Sequence, residues 1–279
     1  RTHLMDAMPI DFSQELSGWS AQLKTVKTTI LSALKEISQL PQGGTAIGTG
    51  INAHKDFGKI FALEVKKISK LDVKTSTNYF KSLSAQDAAA QLSSCVKNLS
   101  LVLTKISNDL RWMNSGPLTG LCEIELEALQ PGSSIMPGKV NPVIPEAVAM
   151  ACADVIGNDV TVSLASQSGN FQLNVMLPVI AYNLLKSISL MSNAMPLLAN
   201  KAIKTFKVNQ KNINQSLAMN PILVTALNRE IGYEKASNIA KKAYKEKRPI
   251  VDVAHEETGL PIRKLKKLLN PAKLTKGGI

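Results

Sequence analysis

An all-α fold is the class this sequence predicts, and three observations predict it. Apolar residues recur at spacings of three and four over long stretches. No stretch of any length alternates with period two. Gly and Pro gather in the loops between the stretches. The 279 residues are ample for a buried core, and a hydrophobic content of 44% is that of an ordinary globule. Aromatics make up only 4%, so the core must be built from Leu, Ile, Val, Ala and Met.

Residues 1–10 read as a loop that carries Thr2, His3 and Asp6 and ends at Pro9. From Ser13 onward Leu16, Trp19, Leu23, Val26, Ile30, Leu34 and Ile37 form a helical stripe about 25 residues long. Pro41 and the glycines of PQGGTAIGTGINAH stop that helix. No GK[ST] follows these glycines, so they are not a phosphate loop. No β-branched strand precedes them, so they are not a dinucleotide fingerprint. Close approach of backbone and contact with a small anion both remain open for this loop. A shorter helix is predicted over 57–70 and a second long one over 84–113. The alanines at 88, 89 and 90 imply close approach by a neighbour, and Leu92, Val96, Leu99, Leu103, Ile106 and Leu110 form the stripe.

Two more long helices are predicted, over 143–164 and 172–202, apolar on more than one face and therefore buried on more than one side. Pro178 and Pro196 should bend the second or end its turns. Four such helices make a long antiparallel bundle, and their excess apolar face predicts burial against other subunits. From Phe206 the chain turns lysine-rich. KVNQKNINQSL reads as a short helix, a Pro-initiated turn follows, 233–247 as a helix, and two brief helices flank Gly259-Leu260-Pro261. The expected division is a central bundle over 1–205 and a small helical C-terminal domain over 206–279.

The net charge of +12 raises the question of a nucleic-acid partner, but the lysines are thinly spread and no base-reading module stands out. The expectation is no nucleic acid, with a basic surface or an anion-attracting pocket as the simpler account. A basic helical binding protein is the alternative, and salt-sensitive affinity for duplex DNA would favour it. Cys95, Cys122 and Cys152 are far apart and odd in number, which argues for a reducing, cytoplasmic setting. No signal peptide is read and no apolar run is judged long enough for a membrane. No His or Cys spacing supports a metal. The chain opens without Met and reads as a piece of something longer.

The most informative stretch is GSSIMPGKVNP at 132–142, held between Pro131 and Pro142. Ser133 and Ser134 supply hydroxyls. Turn amides with Lys139 nearby would stabilise an alkoxide once water is excluded. Lys139 and Asn141 suit a carboxylate, one as a point charge and the other as an oriented donor, with Met136 and Pro137 as an apolar lid. Glu146 falls in the first turn of the next helix, where it either stabilises the helix start or holds a histidine from elsewhere. A self-packed Ω-loop is the plainer alternative for the whole stretch. His54 and His255 read as structural or surface residues, whereas His3 sits beside a threonine hydroxyl in a proline-ended loop.

These residues carry a resemblance. GSSIMPGKVNP resembles the signature of the fumarase/aspartase superfamily. With RTHLMDAMP at 1–9, GGTAIGTGIN at 43–52, KISNDLRWMNSGP at 105–117, GNDVTVSLASQSGNFQLNV at 157–175 and NPILVTALNREIGYEKASNIAKKAYKE at 220–246, the chain is similar to class II fumarases through most of its length. Val140 sets it apart from argininosuccinate and adenylosuccinate lyases. The run at 168–174 sets it apart from the AGQLELN-like run of aspartases, although NPVIPE at 141–146 leans toward them.

The resemblance implies a homotetramer with a twenty-helix central bundle and active sites shared between subunits. It implies reversible anti elimination of water from L-malate to fumarate through an aci-carboxylate, as in the tricarboxylic acid cycle, with no metal or cofactor. By motif, Ser133 is the base that removes the C3 proton. His3 with Thr2 positions the substrate carboxylate and the leaving water, Glu146 orients the histidine, and Ser134, Lys139 and Asn141 bind substrate. Release of ammonia from L-aspartate, or a catalytically incomplete chain, is the alternative. Two departures stand out. Leu118 occupies a turn where the family commonly has arginine, and the family's N-terminal domain and first bundle helix precede the RTH motif. On that reading the chain would not complete a site by itself.

Overall fold

The structure, a computed structural model, describes residues 1–277 and is all-α, as the sequence predicts. The helices are α1 (Phe12–Ile37), α2 (Phe57–Ser69), α3 (Tyr79–Ser84), α4 (Asp87–Met113), α5 (Val143–Ser166), α6 (Leu177–Leu198), α7 (Gln210–Met219), α8 (Asn228–Ile231), α9 (Tyr233–Glu246), α10 (Ile250–Thr258), α11 (Ile262–Leu268) and α12 (Pro271–Leu274). Among the described residues, strand is confined to two-residue pairings. β1 (Gln39–Leu40) runs parallel to β2 (Lys74–Thr75), and β3 (Ile124–Glu125) runs antiparallel to β4 (Lys207–Val208).

The chain divides into two compact units. One comprises residues 20–114 and 126–206, the other residues 1–19, 115–125 and 207 onward. By compactness the first 19 residues and the 115–125 segment group with the residues from 207 onward.

In the first unit α4, α5 and α6 pack on one another, and Ala33 of α1 closes against Ala89, Leu92, Val162, Ala165, Ile180 and Leu184. The predicted approach at the alanine run is this contact at Ala89. A polar layer crosses the helices. Asp159, nearly fully buried, accepts from Ser93 Oγ at 2.7 Å and pairs with Lys97 Nζ at 2.6 Å, and Asn158 donates to Ser187 Oγ at 3.2 Å. Satisfying a buried carboxylate in this way is what lets a charge sit inside a bundle. The Cys152 thiol on α5 is pushed up by burial, partly offset by Thr104.

Three expectations are corrected here. Helix α5 is, by length and composition, long and apolar enough to cross a membrane, contrary to the reading that no run is; one third of its most apolar window is buried in the bundle. The last bundle helix starts at Leu177 rather than near 172, because Phe171 adopts a left-handed φ of 53° and Asn170 bridges Leu173, which turns the chain before it can wind. Its Pro178 sits in the first turn, where a missing N–H costs nothing, and Pro196 is followed by a π-helical turn over Ala199–Ile203. Residues 79–83, which the expected elements left unassigned, and Ser84, expected to begin the second long helix, form the separate helix α3, which Asn78 caps by accepting from Lys81 N–H at 3.0 Å, and the long helix starts at Asp87.

Helix α3 also explains the glycine-rich loop. A Cβ on Gly43 would lie 2.6 Å from the Tyr79 hydroxyl, and one on Gly48 2.7 Å from the Phe80 ring. Close approach, the first of the two open readings, is therefore what this geometry requires of the glycines.

The second unit has its own core, in which Leu223, Leu227, Ile239, Val253 and Leu265 are buried together. Asn220 opens a 3₁₀ turn over Pro221–Leu227 by accepting from Ile222 N–H, the predicted Pro-initiated turn. Gly259 ends α10 in the left-handed conformation, as a helix C-terminus before Leu-Pro demands.

Candidate active site

The serine loop belongs to the bundle unit, immediately before α5. Its ends are tied together: Gly132 N–H donates to Lys139 O at 2.8 Å and Asn141 Nδ2 to Gly132 O at 3.4 Å. Gly132 has no room for a side chain, since a Cβ would fall 2.8 Å from Lys139 O, and Gly138 takes a φ of 83°. Within this closed loop Ser133 Oγ accepts from two backbone amides, Ile135 N–H at 3.2 Å and Met136 N–H at 3.1 Å. Two donors occupy both lone pairs of a neutral hydroxyl. The Ser133 proton must then point elsewhere, and loss of that proton leaves a free electron pair in the same direction. Both amides can shorten their bonds as charge builds on the oxygen. Ser133 is partly buried, whereas Ser134, Met136, Pro137 and Lys139 are exposed, so the apolar lid expected of Met136 and Pro137 covers nothing within this chain. Asn141 and Glu146 are partly buried, and Glu146 stands in the first turn of α5 with its amide donating to Pro142 O.

Thr2 and His3 belong to the other unit. Thr2 and Met5 exchange backbone hydrogen bonds of 3.0 and 2.9 Å around a two-residue turn. Its central residues, His3 and Leu4, have φ of 49° and 62°. Such a turn ordinarily takes Asn or Gly. Neither His nor Leu is favoured there, at a cost of about 1–3 kcal/mol each. The result is an exposed imidazole at the tip of a strained hairpin. The predicted site residues thus form two groups, Ser133, Ser134, Lys139, Asn141 and Glu146 in one unit and Thr2 and His3 in the other.

The sequence reading missed what lies beneath the hairpin. Arg1 Nη2 reaches Glu123 Oε2 at 2.7 Å and Glu15 Oε2 at 3.4 Å, with side-chain exposures of 23%, 22% and 15%, so this is no ordinary surface pair. Burial pushes the Glu123 carboxyl above its ordinary range, Arg1 pulls it back and Glu15 adds to the rise. The three residues line a cavity of about 360 Å³ together with Asp6, Asn212 and Asn220. The arginine beside Thr-His was the one visible signal; the two glutamates lie too far along the chain to be connected to it by pattern. Leu118, where the resemblance implies arginine, is 94% exposed and packs against almost nothing. Of the other histidines, His54 accepts from Asp56 N–H at 3.2 Å and His255 Nδ1 lies 2.8 Å from Leu260 O, both on the surface. Among the described residues no group of three or more His, Cys, Asp or Glu side chains is arranged to hold a metal.

Residues 1–157 match a family model described as lyase, and residues 223–276 match one described as fumarase C C-terminus. The chain is 58% identical over its whole length to "Fumarate hydratase class II 2" of Pseudomonas aeruginosa, covering 61% of that protein. It is 56% identical, again over its whole length, to "Fumarate hydratase class II" of Xylella fastidiosa, covering 59% of it. Among solved structures it is similar to a class II fumarase from Schistosoma mansoni, with a TM-score of 0.92 at 34% identity, covering 99% of this chain and 60% of that one. It is similar also to a fumarate lyase:delta crystallin from Brucella melitensis bound to cobalt, with a TM-score of 0.93 at 38% identity and the same coverage. The chain therefore spans about three fifths of the length of these relatives.

Proposed function

The chain belongs to the lyase family that it matches over residues 1–157, and on that premise we propose that the protein acts as a class II fumarate hydratase, interconverting L-malate with fumarate and water. The observation that carries the reading is Ser133 Oγ, held by two amides in a loop closed on itself. Malate has its C3 proton beside a carboxylate, and in water that proton is very weakly acidic. Removing it builds a second negative charge on the carboxylate, and stabilising that aci-carboxylate is the main task of the site. Ser133, as the alkoxide, takes the proton. Lys139 and Asn141, two residues apart in the same loop, bind the carboxylate on which the charge develops, with Ser134 as a further donor. Thr2 and His3 position the substrate and the departing water, and Glu146 orients the imidazole.

Two further parts of the proposal concern assembly and setting. Active sites shared between subunits of a homotetramer are supported by the apolar residues that the bundle leaves uncovered, such as Met150, Val160 and Leu164 of α5 and Leu185 of α6. A reducing, cytoplasmic setting is supported by the three free cysteines. Ammonia release from aspartate is not favoured, since the relatives cited are fumarate hydratases by name.

The test is direct. The intact protein given fumarate alone should consume it and produce L-malate, and Ser133→Ala should lower that rate about 10²-fold or more, as loss of a positioned base with its stabilised charge does. Ammonia release from aspartate with no hydration of fumarate would replace the reading. A loss smaller than about tenfold would remove Ser133 from the role of base.

A further inference from the structure

The His3 turn is strained, exposed and only two residues long, so the hydrogen bonds inside it do not by themselves hold it in place. Its flanks are fastened instead. On one side is Arg1, whose guanidinium is shared between Glu15 of α1 and Glu123 beside β3. On the other is Ala7, whose carbonyl accepts from Asn220 Nδ2 at 2.8 Å, just before the buried Pro9. The anchors are themselves fixed by one short helix. Asn209 caps the start of α7, and its amide donates to Glu123 O at 2.8 Å. Asn212 Nδ2 holds the carbonyls of Leu121 and Cys122 at 2.6 and 3.2 Å, and Asn220 follows the end of the helix. Asn212 of this ten-residue helix and the two asparagines that flank it, Asn209 and Asn220, thus reach the backbone of residues 121–123 and of Ala7.

We propose that Arg1, Glu123 and Asn220 are positioning residues, a two-point clamp splinted by α7 that keeps the Thr2–His3 turn in its reactive placement. The inference rests on the proposed role of His3. Arginine suits the first point because a rigid fork with several donors can serve two carboxylates at once, which an ammonium on a flexible stem does less well. Asparagine suits the second because its Oδ1 accepts from Ile222 N–H while its Nδ2 donates to Ala7 O, tying the turn to the start of the next helical segment. A displacement of about 1 Å in a positioning group can cost as much as 10²-fold in rate, so a clamp remote from the reacting atoms is visible in turnover.

Four variants of the intact protein test this: Arg1→Met, Arg1→Lys, Asn220→Ser and His3→Gln, each assayed for kcat, KM and thermal unfolding. Serine keeps the capping oxygen of Asn220 but cannot donate to Ala7 in its place. The expected result is a fall in kcat of about tenfold or more for Arg1→Met and for Asn220→Ser, larger than any change in KM, with the melting transition kept near the parent's. Arg1→Lys should fall between Arg1→Met and the parent. Equal losses for Lys and Met, or losses that track a lowered melting temperature, would mean that the clamp only holds the fold and would overturn the proposal. Near-parental kcat in Arg1→Met and Asn220→Ser alongside a large loss in His3→Gln would overturn the clamp and leave the role of His3 standing. Near-parental activity in His3→Gln would remove both.

Discussion

Ser133 and Glu123 show how differently two partly buried polar groups can be used. Ser133 gains donors and so becomes a better anion, whereas Glu123 loses water and becomes a worse one. The second effect has a measurable sign. The folded-state pKa of Glu123 is raised, by burial first and by Glu15, with Arg1 opposing. A raised carboxyl contributes stability that is fully present below its unfolded value of about 4.3 and is lost as pH rises through the folded value. Glu123→Gln carries no such titration. Denaturant unfolding of parent and Glu123→Gln across the weakly acidic range should therefore show the parent losing ground to the variant as pH increases. A parent that instead gains on the variant with rising pH would mean that attraction to Arg1 outweighs burial. The pH dependence of the difference, rather than its size at any one pH, reports the Glu123 titration.

At the scale of elements, helix existence was legible because apolar periodicity is local, and helix ends were legible wherever a proline or glycine stood alone. The stripe from Leu16 to Ile37 and the turn at Asn220-Pro221 are of this kind. The start of α6 was not, because the signal there is a tertiary one. Asn174 is fully buried, receives Met176 N–H at 2.8 Å, and donates to the last carbonyls of α5, Ala165 O and Ser166 O, both at 3.1 Å. One side chain thus closes the end of one helix and opens the next, and nothing in the run SGNFQLN distinguishes that asparagine from a solvated one. The polar layer of Ser93, Lys97 and Asp159 was equally hidden inside apolar stripes. In the site, the serine loop could be read because all of its parts lie within eleven residues. The Arg1–Glu123 contact could not, since it joins positions far apart. Asn174→Ala should cost about 1–3 kcal/mol in denaturant unfolding, the penalty of leaving buried helix-end groups unpaired. Asn174→Asp should cost more, because it accepts from Met176 but sets a carboxylate against two carbonyls. An aspartate variant as stable as the parent would show that water reaches this junction.

For the whole molecule, the face of α5 that turns away from α4 and α6 carries the argument. Pro145, Val148, Cys152, Val155 and Val162 point inward, while Met150, Ala153, Gly157, Val160 and Leu164 form an exposed row at spacings of three and four. Large apolar side chains at both ends of that row with small ones between are what a close helix neighbour needs, and a solvated face has no use for Met150 at 67% and Leu164 at 57% exposure. Gly157 separates the possibilities. A Cβ built there meets nothing within 4 Å, and its backbone is helical, so within one chain the first atom of a side chain meets no clash and a good helix former gains roughly 0.5–1 kcal/mol over glycine. In an assembly whose helices cross at this row, the same side chain would hold the neighbour away. Gly157→Leu should therefore keep its helical circular dichroism and yet yield a smaller particle than the parent by light scattering at equal concentration, with fumarate turnover falling together with particle mass. A Gly157→Leu protein that keeps the parent's mass and activity, or a parent that is itself monomeric, would show that this row is not a subunit contact, and the shared-site reading would lose its principal support.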